Sequence, residues 1–131
     1  MRRLNLIFGL LLFLAFILSG QYMRHLFTPE HLDDLVQRAQ IRSNHIYVLL
    51  SALLNLLASR IPSGYSKHWQ GYADTAARTL MMIAACFLVT GFWYEHDGDL
   101  ANRKFTRLGL FGTLGAVGLM IVNGWLSPRA D

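Results

Sequence analysis

The feature that most constrains this chain is where its charges are missing. Four stretches, residues 4–23, 43–59, 79–94 and 108–126, contain no Asp, Glu, Lys or Arg. A helix needs roughly 20 mostly apolar residues to cross about 30 Å of hydrocarbon. The first and last stretches reach that length alone. The middle two reach it with flanking polar residues, whose long arginine stems can snorkel toward water. Only 15% of the 131 residues are charged and 53% are hydrophobic, against about 25% charged in ordinary soluble domains. The pattern predicts an all-α integral membrane protein with spans at about 3–24, 41–61, 73–95 and 104–126. The connections are short enough for an up-and-down four-helix bundle forming a single domain over residues 1–131.

The first stretch has a basic start and a small residue at Gly20, as a secretory signal would. Its apolar run is longer than a usual signal core and three more spans follow, so it is expected to stay as the first helix. Tyr22, Tyr47, Tyr72, Trp93, Tyr94 and Trp125 fall near the expected helix ends, where interfacial aromatic residues gather. The net charge of +4 comes from basic residues at those ends, where they meet lipid headgroups, so nucleic-acid binding is not expected. Basic residues divide almost evenly between the two sides of a four-span topology. Arg2 and Arg3, on a short tail, favour both termini in the cytoplasm. Cys86 stands alone, is silent about redox compartment, and is expected to be buried as a small apolar side chain.

The first connection, TPEHLDDLVQRAQIR, opens with Thr28 as a candidate N-cap and Pro29 at the first helical position. Glu30, Asp33 and Asp34 suit the positive end of a helix dipole. No Gly or Pro interrupts residues 30–60, so this segment is expected to extend the second helix at its N-terminal end.

In the second span, Asn44, Tyr47, Ser51, Asn55 and Ala58 share one narrow stripe at about 100° per residue, while Leu50, Leu53, Leu54 and Leu57 point elsewhere. Amides have no use against lipid, so the stripe is expected to face the bundle interior. Interhelical hydrogen bonding accounts for it, and a polar ligand pocket is the sharper alternative. In the fourth span Gly109, Gly112, Gly115 and Gly118 recur every third residue, and Gly109 with Thr113 and Gly112 with Ala116 form small-xxx-small pairs. Such pairs let another backbone approach closely. Asp74 and Arg78, four apart, suit an ion pair that lowers the cost of an arginine near the apolar region.

His25, His31, His45 and His96 all fall toward one membrane side, His96 within the acidic run EHDGD. Two imidazoles from different helices could hold a haem b edge-on, His45 with His25 or His96, with Arg38 or Arg42 at the propionates. Alternatively, these imidazoles with the carboxylates Glu95, Asp97 and Asp99 could ligate a divalent cation. Helix ends commonly carry such residues without a ligand, no spacing matches a strong metal or haem motif, and no metal site is assigned. No arrangement for nucleophilic catalysis and no phosphate-cradling loop stands out, so no catalytic residue is assigned.

GQYMRHLF, followed by RSNHIYVLLSALLNLL, resembles a group of small four-helix bacterial inner-membrane proteins. In that group a Tyr-Met-Arg turn precedes an Arg-x-x-His-Ile-Tyr start to the second helix. The matching positions are Tyr22, Met23, Arg24, Arg42, His45, Tyr47 and Asn55. The resemblance covers the first half of the chain and implies a fold and a location, without an activity. Membrane b-type cytochromes place paired histidines deeper within several helices, whereas only His45 here lies inside a span. The reading that follows is a small non-enzymatic membrane protein that packs with partner membrane proteins or itself. The alternative is a haem- or quinone-associated electron-transfer subunit using His45.

Overall fold

The computed structural model describes residues 1–31, 33–62, 68–95 and 102–126. Four helices dominate: α1 (Arg2–Tyr22), α2 (Leu35–Arg60), α3 (His68–Tyr94) and α4 (Lys104–Trp125). Each is long and apolar enough to cross a membrane, α1 with the turn that follows it running Arg2–Phe27. No strand occurs among the described residues.

The helices do not contribute equally. α3 packs along α4 on one side and α2 on the other, and α1 lies along α2, barely touching α3. The bundle is therefore built around α2 and α3, with α1 and α4 at its edges. Small side chains make this contact close: Ala52, Ala77, Ala84, Ala85 and Ala116 are fully buried. Without a hydrophobic drive between helices in lipid, such close packing is the main source of association. Three apolar clusters mark the seam. Phe27, Ile41, Val48 and Phe92 fill one end, Leu12, Ala52 and Ala85 the middle, and Ala58, Met81 and Ala116 the other end. Leu50, Leu53 and Leu57 face outward, while Leu54 is half-buried.

The connection after α1 departs from expectation. Residues Met23–Phe27 form a π-helical turn, and the Thr28 amide donates to the Met23 carbonyl five residues back. Thr28 is therefore helical and caps nothing; it begins a single further turn, Thr28–Glu30. The backbone leaves the helical region at His31 and again at Asp34, so residues 30–60 are not one helix. Asp34 starts α2 instead, its carboxylate accepting the Gln37 amide at 2.9 Å. An Asp that caps removes an orphan donor and favours the dipole, which is a stronger local signal than the absence of Gly or Pro. α2 still begins before the apolar stretch, so its N-terminal extension holds from Leu35 onward. Cys86 is exposed, not buried, because the packed face of that turn of α3 is taken by Ala84, Ala85 and Leu88.

Candidate functional site

Polar side chains in these spans act mainly on helix ends belonging to their neighbours. The first four amides and last four carbonyls of any helix lack internal partners, and in hydrocarbon water cannot supply them. Glu95, buried just beyond α3, accepts the Phe105 amide at 2.6 Å and the Thr106 amide at 3.0 Å. It also accepts the Thr106 hydroxyl at 2.6 Å. One carboxylate thus caps the start of α4 from outside that helix. Arg103, the residue preceding α4, donates to Asn44 Oδ1 and to Ser43 Oγ on α2. Asn44 Nδ2 in turn donates to the Gly91 carbonyl of α3 at 2.9 Å. Asn44 so ties three helices together at one end of the bundle.

The other end repeats the device. Arg78 is fully buried, pairs with Asp74 at 2.7 Å, and donates to the carbonyls of Ala58 and Ile61 at the end of α2. Gln70 at the start of α3 donates to the Leu126 carbonyl at 3.0 Å, and Asn123 Nδ2 returns a bond to the Gln70 carbonyl at 3.0 Å. Between the ends, Asn55 accepts from Asn5 Nδ2 of α1 at 2.9 Å and donates to the Ser51 carbonyl.

The expected interior stripe is therefore real at Asn44, Ser51, Asn55 and Ala58, all buried. Tyr47 is only half-buried, at the edge of the stripe. The side chains of Asn44 and Asn55 serve helix contacts. Gly109, Thr113 and Ala116 are buried against α3, and Gly112 packs on it. A Cβ at Gly109 would meet Leu88 Cγ at 2.5 Å and the Ala84 carbonyl at 2.9 Å, so only glycine fits there. At Gly115 the nearest atom would be a Leu80 methyl at 3.8 Å, and at Gly118 nothing lies within 4 Å.

His45 is the exception to end-capping. Its ring stacks on Phe16 at a centroid distance of 4.2 Å, and its Nδ1 lies 3.0 Å from Ser19 Oγ. Ser19 directs its single hydroxyl proton to the Phe16 carbonyl at 2.9 Å. The contact through Nδ1 fixes the ring's orientation and turns Nε2 away from Ser19. Nε2 lies beside Gly20, where a Cβ would come within 3.6 Å of it. This is the geometry in which a second group orients an imidazole.

The other proposed ligands do not converge on it. His25 and Arg42 are exposed. Arg38 is half-buried on the first turn of α2. His31 folds back on its own turn, donating Nδ1–H to the Phe27 carbonyl at 3.0 Å. His96, with the rest of its acidic run after Glu95, lies outside the described residues. No group of three or more metal-ligating side chains occurs among the described residues. A narrow apolar crevice separates α1 from α3: about 180 Å³ lined in part by Ser19, Phe92 and Trp93, and about 390 Å³ lined in part by Phe8, Leu12 and Cys86. Ala15 and Val89 line both parts. Neither the sequence stripe nor the histidines pointed to Ser19, Gly20 or Arg103, and the sequence singles out Glu95 only as a candidate metal ligand beside His96, whereas it caps α4. Their roles depend on which helix stands opposite.

Compared with protein-family models, curated proteins and solved structures, the chain finds no match.

Proposed function

We propose that this chain is a small, non-enzymatic, multi-pass protein of a bacterial inner membrane, both termini cytoplasmic, which works by packing its outer helix faces against partner membrane proteins or a second copy. The observation that carries the reading is the outer face of α4. Phe111, Gly115, Gly118 and Val122 are spaced i, i+4, i+7 and i+11, within about 60° of one another on a helix, and all four are exposed. A glycine inside a helix costs roughly 1 kcal/mol against alanine. Gly109 repays that cost by close packing on α3, and Gly118 repays it nowhere among the described residues. Small residues on a lipid-facing stripe are what a second transmembrane helix needs to approach closely. Size-exclusion chromatography with light scattering in mild detergent tests this. The protein is expected as a larger assembly that Gly118→Leu disperses while the helical spectrum is unchanged. A monodisperse monomer with no co-purifying chain overturns it.

A second reading rests on His45. The imidazole held against Phe16 and Ser19, with Nε2 beside Gly20, favours a haem b- or quinone-associated electron-transfer subunit, a reading that needs His25 or His96 to move in as a second contact. An absorption spectrum before and after dithionite distinguishes the two. A reducible Soret band lost in His45→Ala supports the electron-transfer reading. A flat spectrum from gently purified protein removes haem.

A further inference from the structure

A cleft of about 520 Å³ opens between the start of α1 and the end of α2. It is lined by Arg2, Arg3, Leu6, Ser59 and Arg60. Three guanidinium groups line it, with no carboxylate among the described lining residues. The ion pair formed among the described residues, Arg78 with Asp74, lies on α3 and uses neither Arg3 nor Arg60. The cleft is also partly built: Arg2 Nε donates to the Ser59 carbonyl at 3.1 Å, which fixes that arginine across the α1–α2 seam. Bringing three like charges to one cleft is unfavourable unless an anion or water screens them. Arginine forks match the oxygens of a phosphate group, with fixed geometry as well as charge.

The level in the membrane narrows the ligand. The cleft sits at the ends of two spans, where hydrocarbon gives way to headgroups, and Leu6 gives it an apolar wall on the bilayer side. A basic pocket between helix ends is suited to an anionic phospholipid, with the phosphate on the arginines and the acyl chain along the helices. We propose that this cleft binds the phosphate of an anionic lipid headgroup, held by Arg2, Arg3 and Arg60. A lipid carrying two phosphates matches the three guanidiniums better than one with a single net charge.

Native mass spectrometry of the full chain from detergent, titrated with diphosphatidylglycerol, phosphatidylglycerol and phosphatidylcholine, tests this directly. The anionic lipids are expected to bind more tightly than phosphatidylcholine, the two-phosphate lipid most tightly. Arg3→Gln with Arg60→Gln should weaken that binding about 30-fold, since each arginine near an anionic surface contributes about a factor of five. Arg2 is left intact because it also fastens Ser59. Arg24→Gln with Lys104→Gln removes the same charge from exposed sites at the opposite end, and should change binding little. An equal loss in both double variants, or wild-type binding that does not distinguish headgroups, overturns the site. Competition by inorganic phosphate at low millimolar concentration keeps the phosphate site and overturns the lipid as its source. Circular dichroism of each variant guards against a lost fold, and a conservative Arg3→Lys with Arg60→Lys pair should recover part of the preference.

Discussion

Single residues in this protein are explained by what stands opposite them. Asn5 and Asn55 are far apart in the chain and joined at 2.9 Å, so each amide satisfies part of the other inside the bundle. Interhelical bonds of this kind measure about 0.6 kcal/mol on average and reach nearly 2. A double-mutant cycle of Asn5→Ala and Asn55→Ala, read by denaturation in detergent, should return a coupling in that range. Zero coupling would mean the pair is incidental. Gly109 offers a second test, because a Cβ there would meet both a side chain and a backbone carbonyl. Gly109→Ala is expected to destabilise by about 1–3 kcal/mol, the usual cost of overpacking. The same change at Gly118, where nothing lies within 4 Å, should leave monomer stability unchanged or raise it. At this scale the sequence was readable as to residue type. The glycines announced close approach, but which of them meet α3 depended on the rotation of α4, which its weak apolar asymmetry does not specify.

At the scale of elements, the recurring device is capping by a neighbour. Glu95 takes two amides at the start of α4, and Arg78 takes two carbonyls at the end of α2. Removing a helix cap generally costs about 0.5–2 kcal/mol. Glu95→Ala should therefore speed amide hydrogen exchange at Phe105 and Thr106 by roughly twofold to thirtyfold, with the middle of α4 unaffected. Uniform loss of protection along α4 would instead assign Glu95 to the global fold. The connection after α1 shows why element boundaries resist reading. Thr28 and Pro29 look like a helix start, yet the chain arrives there already helical through the π turn, and Asp34 starts α2. A π turn adds one residue to a helical turn and has no strong sequence mark. It here brings Phe27 into the core beside Ile41, Val48 and Phe92.

For the whole molecule, the Asp74–Arg78 pair shows how strongly the parts depend on one another. Arg78→Ala would remove the guanidinium that pairs with the buried Asp74 and that donates to the Ala58 and Ile61 carbonyls, of which Ala58's keeps the Ile61 amide. Breaking such a buried pair is expected to cost about 3–5 kcal/mol, while Asp74→Leu with Arg78→Met should cost much less. Equal losses in the single and double variants would show that the carbonyl contacts, not the charge, dominate. Four spans, their approximate limits and the inward polar face of α2 were legible from the sequence alone, because charge is excluded from hydrocarbon wherever the chain later folds. The Asp74–Arg78 pair was legible as well, since four-residue spacing on a helix is local geometry. What the tertiary structure alone decided is the pairing order, with α2 and α3 central and α1 and α4 at the edges. It also decided that Glu95 and Arg103 belong to the start of α4, that Ser19 orients His45, and that Arg2, Arg3 and Arg60 share a cleft. Burial in lipid is a property of each segment by itself. Contact between helices depends on their relative rotation and depth, and in an apolar solvent only close packing and a few polar bonds choose among many arrangements of similar hydrophobicity.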